Sequence, residues 1–146
     1  MELISMGFTL KIEGSETIDL KKENIKTVKF LTDIPDDSNA RSTDLASSVT
    51  ITGKILAAAN GGTADDTMKL AKWSLVPAEK ADCYRKATIE VDAADQVVRK
   101  FYFPNAFVVD YTESFGDTEG TGTFELVIKQ KKDKLTDLTI QGGYQG

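Results

Sequence analysis

Hydrophobic and polar residues alternate along most of this chain. Over Ser47–Leu56, Val49, Ile51 and Ile55 fall on one side and Thr50, Thr52 and Lys54 on the other. A period of two sets one face of a strand on a core and the other on water or a partner. The same pattern predicts strands over Ile4–Ile12, Thr17–Leu20, Cys83–Val91 and Thr123–Gln130, and a short last strand over Leu135–Ile140. Ile25–Leu31 alternates less strictly, which suggests a strand near an edge or an interface. Val97–Tyr111 is rich in Phe, Tyr and Val but contains Pro104-Asn105, which predicts a strand, a break or bulge, and a second strand. Turn signals lie between these runs at Glu13-Gly14-Ser15-Glu16, at Asp92–Asp95 and in the Gly-rich, acidic stretch Ser114–Gly122.

The middle of the chain departs from this rhythm. Ala57–Gly62 ends a strand, and Thr63-Ala64-Asp65-Asp66 has the capping residue and the acids of a helix start. The helix is predicted over about residues 64–76, stopping before Pro77. At about 100° per residue, Met68, Ala71 and Leu75 share one face, and Leu70 and Trp73 point nearly the other way. Two apolar stripes imply cover on two sides: the sheet on one, and a loop of this chain or another subunit on the second.

Thr32–Ser48 is a long polar stretch holding Asp33, Asp36, Asp37, Arg41 and Asp44. Loops of this length in a compact domain are usually functional or disordered. Its acids lack the Asp-x-Asp-x-Asp-Gly spacing that encircles calcium, so no metal site is assigned. The sum is one mainly β domain over residues 1–146. About eight strands form an antiparallel β-barrel, or a sandwich-like barrel, with one flanking helix.

Composition narrows the chemistry. There is no histidine and one cysteine, Cys83, so Ser-His-Asp and Cys-His sites and disulfides within the chain are excluded. The net charge of −5 and the scattered basic residues disfavour nucleic-acid binding through a basic patch. The glycines 116, 120 and 122 precede a strand rather than a helix, so they make no phosphate cradle. No signal peptide is visible, and no run approaches the roughly 18 apolar residues of a membrane span. No cofactor is implied, and synthesis in the cytoplasm is expected.

The order of these pieces resembles the Hcp-type tube proteins of type VI secretion systems and the tail tube proteins of tailed phages. The resemblance runs over residues 25 to 132. Ile25–Leu31 leads into the polar loop with Arg41; Val49-Thr50-Ile51-Thr52 and the helix follow. Then come Ala87–Val91, Val97–Phe103, Asn105-Ala106, Phe107–Tyr111 and Thr123–Gln130. The loop has Arg41 alone where Hcp is expected to carry a histidine and paired basic residues. This points to the phage, prophage or injection-device branch. The resemblance implies a structural protein without catalysis. It implies a homo-oligomeric ring, typically a hexamer, that stacks into a tube conducting DNA or effector protein as passing cargo. Baseplate, sheath or terminator proteins are the implied partners, and there is no membrane insertion.

On that reading Leu70, Trp73, Asp36, Asp37, Arg41 and Asp44 are expected at subunit interfaces. Thr50, Thr52, Lys54, Thr123 and Glu125 are expected to face a lumen, where the acidic balance would repel DNA. Two other classes remain open. A monomeric β-sandwich binding or adhesion module would use Trp73, Tyr84, Tyr102 or Tyr111 as a stacking platform. An enzyme would need a pair among Glu113, Asp117 and Glu119.

Overall fold

A computed structural model of the chain describes residues 5–33, 46–56, 66–117, 121–131 and 137–142. The strands are β1 (Met6–Glu13), β2 (Thr17–Leu20), β3 (Ile25–Asp33), β4 (Ala46–Ile55), β5 (Arg85–Ala93), β6 (Gln96–Phe115), β7 (Gly122–Gln130) and β8 (Thr139–Gly142). One helix, α1 (Thr67–Ser74), and a 3₁₀ turn (Ala81–Cys83) lie between β4 and β5. All pairings are antiparallel, in the order β2-β1-β5-β6-β7-β4-β3, with β8 added on β6.

The sheet curls around a core without closing into a continuous ladder. β3 comes back close to β1, but the two are not hydrogen-bonded as strands. Alternation puts Leu10 and Ile12 of β1, Ile18 and Leu20 of β2, and Ala87 and Ile89 of β5 inside. They meet Val49 and Ile51 of β4 and Phe124, Leu126 and Ile128 of β7. Phe30 of β3 crosses this space to stack on Phe101 of β6 (centroids 4.8 Å apart, planes 7° apart) and to meet the Phe103 ring edge-on.

β6 is the strand that makes the curl. It is 20 residues long and runs through Pro104, where the sequence predicts a break or bulge between two strands. Its first half pairs with β5, and Ala106 is the pivot, opposite Arg85 on one edge and Gln130 on the other. From Ala106 to Phe115 it pairs with β7. The register with β5 slips between Arg85 and Ala87, opposite Pro104 and Asn105, so the proline sits in a bulge where no ladder N–H is needed. The Gln130 side chain takes the Asn105 N–H (3.0 Å), and the Asn105 carbonyl accepts from the Lys131 N–H (2.9 Å). A second slip, between Val108 and Asp110, leaves Val109 as the extra residue opposite β7.

Gly53 marks a close approach between β3 and β4. A Cβ there would lie 2.0 Å from the Asn24 carbonyl oxygen and 2.6 Å from the Phe124 ring. The β5–β6 turn is Ala94-Asp95, both at positive φ (51° and 62°), the conformation of a tight hairpin without the usual glycine.

The helix stops before Pro77 as its sequence predicts, and its last turn is closed by Leu75 and Val76 N–H donors. The two stripes take the opposite sides from those expected. Leu70 and Trp73 are the inner stripe, fully buried in the core of their own chain. Met68 and Leu75 are the outer one, 58% and 80% exposed. Trp73 is anchored at both ends: its Nε1–H donates to the Cys83 carbonyl (3.0 Å), and the Arg85 guanidinium lies over its ring at 5.5 Å. Trp73→Ala is therefore expected to lower unfolding stability by about 3–5 kcal/mol and Leu70→Ala by about 2–5 kcal/mol. Met68→Ala and Leu75→Ala should stay within about 0.5 kcal/mol of wild type in the same urea titration.

Candidate assembly surfaces

Four strands in the order β3-β4-β7-β6 turn one face to the core and the other outward. Their registers set the outward residues in rows. Thr27, Thr52, Glu125 and Thr112 form one, Lys29, Thr50, Val127 and Asp110 the next, and Lys54, Thr123 and Ser114 a third. The five residues expected to line a lumen, Thr50, Thr52, Lys54, Thr123 and Glu125, thus share this face. Lys54, Thr123 and Glu125 are exposed, Thr50 and Thr52 half-buried. The Thr27 and Thr52 hydroxyls hydrogen-bond across β3 and β4. The face carries Lys29, Lys54 and Lys129 beside Glu125 and Asp110, so its local charge does not follow the acidic total of the chain.

Both sides of this four-stranded segment end in strand edges. β3 has a ladder to β4 alone among the described strands. β6 is paired with β5 only up to Ala106, so beyond it no described strand runs along the edge opposite β7. Val109 and Phe115 on this stretch are 47% and 68% exposed. Asp110, Thr112 and Glu113 are half-exposed or exposed beside them, and Glu113 accepts a hydrogen bond from the Tyr111 hydroxyl (2.7 Å). The outer edge of β2, by contrast, is met by side chains of α1.

Of the expected interface residues, Leu70 and Trp73 belong to the core, which corrects their assignment to a surface: neither has side-chain area to offer a partner. Asp36, Asp37, Arg41 and Asp44 lie outside the described residues, as do most of the 32–48 loop and Glu119. The aromatics of a binding platform are not gathered. Trp73 is inside, Tyr84 packs edge-on against Phe107 under Lys131, Tyr111 stacks with Phe124, and Tyr102 lies on the outward face of β6 beside Thr88 and Thr139. Among the described residues no three or more Cys, Asp or Glu side chains cluster to hold a metal ion. No described helix is long and apolar enough to cross a membrane.

Among the described residues, three titratable groups are perturbed. A hydrogen bond from the buried Arg85 guanidinium, helped by Ser15, holds the Asp82 carboxyl below its ordinary range. Arg85 Nη2 is 2.6 Å from Asp82 Oδ2, while the Ser15 N–H and hydroxyl donate to the same carboxylate at 3.1 and 2.8 Å. This network ties the β1–β2 turn to the 3₁₀ turn. Burial, then the charge of Asp82, pushes the Cys83 thiol up, away from the reactive thiolate. Burial, then a hydrogen bond with Asp92, raises Glu90 on the outward face of β5, in a groove it shares with Lys11, Lys22 and Lys100.

No protein-family model and no curated protein sequence matches the chain. Solved structures do match. Hcp1 from Flavobacterium johnsoniae is 16% identical, with a TM-score of 0.53 over 94% of this chain and 99% of that one. A chain of the anti-feeding prophage baseplate, 6-fold symmetrised, is 10% identical, with a TM-score of 0.55 over 97% of each chain. A chain of the sheath-tube complex of the extracellular contractile injection system PVC, in its extended state, is 13% identical, with a TM-score of 0.51 over 94% of this chain and 89% of that one. The structural neighbours are Hcp and chains of phage-like particles, and at these identities the likeness is one of fold.

The Asp82 network makes a signed prediction. A carboxylate whose folded pKa is depressed stabilises the fold above its unfolded pKa and loses that contribution as pH falls through the folded value. Wild type should therefore unfold at a higher temperature than Asp82→Asn at neutral pH, and the two melting curves should converge in increasingly acid buffer.

Proposed function

We propose that this chain is a structural protein that forms homo-oligomeric rings, which stack into a hollow tube of a phage tail or phage-like injection device. The observation that carries this reading is the β3-β4-β7-β6 segment, mostly polar on its outward face and ending on both sides in edges without a described strand. An exposed strand edge is a row of backbone donors and acceptors, and pairing it with another chain is the most direct way to satisfy them. Pairing β3 of one copy with the second half of β6 of the next is a head-to-tail contact. Repeated by rotation, such a contact closes into a ring. The outward face then becomes a continuous wall around a lumen, lined by Thr50, Thr52, Lys54, Thr123 and Glu125.

The fold shared with Hcp and with chains of AFP and PVC particles supports this assignment, and a hexamer is the ring number we favour. Residues 1–146 act as one tube unit. DNA or effector protein passes through without being processed, and the chain works with baseplate, sheath or terminator proteins in a particle assembled after synthesis in a bacterial cytoplasm. Asp36, Asp37, Arg41 and Asp44 are the loop residues assigned to subunit contacts. The lysines on the inner wall make transient contact with a phosphate backbone plausible in chemistry, though screened by salt.

Native mass and negative-stain microscopy at high concentration test the proposal. Rings or tubes with a central hole are expected. Val109→Lys places a charge at the bulge of the β6 edge, away from the core, and should leave the β spectrum intact while lowering the assembled fraction at least about tenfold. A strictly monomeric wild type, or a Val109→Lys protein that assembles like wild type, counts against edge-to-edge assembly.

A further inference from the structure

β2 ends the sheet at the other end of the strand order from β3, and it is the edge that α1 covers. Thr17 and Asp19 turn their backbone groups away from β1. The Asp19 N–H donates to Asp66 Oδ2 (2.8 Å), and the Thr17 carbonyl accepts from Lys69 Nζ (3.1 Å). Asp66 and Lys69 stand one helical turn apart with a 3.4 Å ion pair between them. One acceptor and one donor therefore occupy the positions at which an adjoining strand would place a C=O and an N–H.

Asp66 is the N-cap residue of α1, yet its side chain makes no capping bond to the helix. The usual use of an N-cap aspartate is given up, and the carboxylate serves the strand edge instead. Both groups are partly exposed, so their bonds hold the edge against competition from water rather than fastening the helix, whose hold on the sheet is Leu70 and Trp73.

We propose that Asp66 and Lys69 are an edge guard, closing β2 to strand addition by a second copy of this chain. A ring built head-to-tail needs one open edge of each kind per copy; a third would let copies branch into irregular aggregates. The guard thus reserves lateral pairing for the β3 and β6 edges. That last step rests on the tube reading; the closure of β2 does not.

The test uses the full chain. Asp66→Ala/Lys69→Ala removes both partners and leaves the buried stripe in place. Expected are an unchanged β spectrum and Asp19 amide exchange about tenfold faster, the size of one net hydrogen bond. Irregular self-association should also begin at about tenfold lower concentration than in wild type. Adding Asp19→Pro removes the outward N–H, with the Asp19 carboxylate, and should return association to the wild-type level. Asp66→Asn/Lys69→Gln keeps an acceptor and a donor and should behave as wild type. A folded alanine variant that associates as wild type does, or an association that Asp19→Pro leaves unchanged, overturns the proposal. If the alanine variant does not fold, wild type decides: a protected Asp19 amide supports the guard, and exchange at the rate of an open amide refutes it. Every readout is a difference from wild type, so a wild type that stays monomeric counts against the tube and leaves this test intact.

Discussion

A β-sheet that does not close must end, and each end leaves backbone N–H and C=O groups needing a partner. That requirement organises this protein. At β2 the partners are Asp66 and Lys69, side chains from a helix. At β3 and along the second half of β6 no described strand supplies them. The three edges are thus handled differently. The two that lack a described strand flank one segment, β3-β4-β7-β6, whose outward face is polar in most of its rows. A chain selected to be a monomer would be expected to blunt all its edges. Two edges without a described strand, on opposite sides of one segment, are what the proposed head-to-tail pairing requires.

One of the two edges without a described strand exists because of β6. Were β6 to end at Pro104, β5 and β7 would belong to separate sheets and the core would lose its continuous wall. The bulge at Pro104 and the pivot at Ala106 let β6 leave β5 and take up β7 without breaking. The same handover strips the β5-side neighbour from Phe107–Phe115, creating the edge. The residues that shape the fold thus also shape the edge on which the proposed assembly relies.

Much of this was legible in the alternation. The bounds of β2 and β4 follow it closely, because Ile18, Leu20, Val49 and Ile51 face a core with few exceptions to period two. The looser pattern of Ile25–Leu31 suggests a strand near an edge or an interface, and β3 has a ladder to β4 alone among the described strands. Thr50, Thr52, Lys54, Thr123 and Glu125 share a face because strand periodicity fixes which residues do, once the β4–β7 register exists. At Pro104-Asn105 the sequence predicts a break or a bulge; the structure has the bulge, and the two predicted strands are one because pairing with β5 resumes on its far side at Ala106. The helix stripes were found but assigned to the wrong sides: Leu70, Trp73, Met68 and Leu75 are all apolar, and nothing local says which pair meets the sheet. Asp66 and Lys69 carried no signal either, because their partners are backbone groups 47 and 52 residues away.

Hydrogen exchange read by mass spectrometry, at concentrations from dilute to crowded, tests the central claim most directly. Lateral pairing predicts that peptides covering 25–33 and 107–115 slow together as concentration rises, while 17–20, already covered by α1, does not change. Exchange in both edges that is independent of concentration, or slowing confined to one of them, contradicts assembly through these strands.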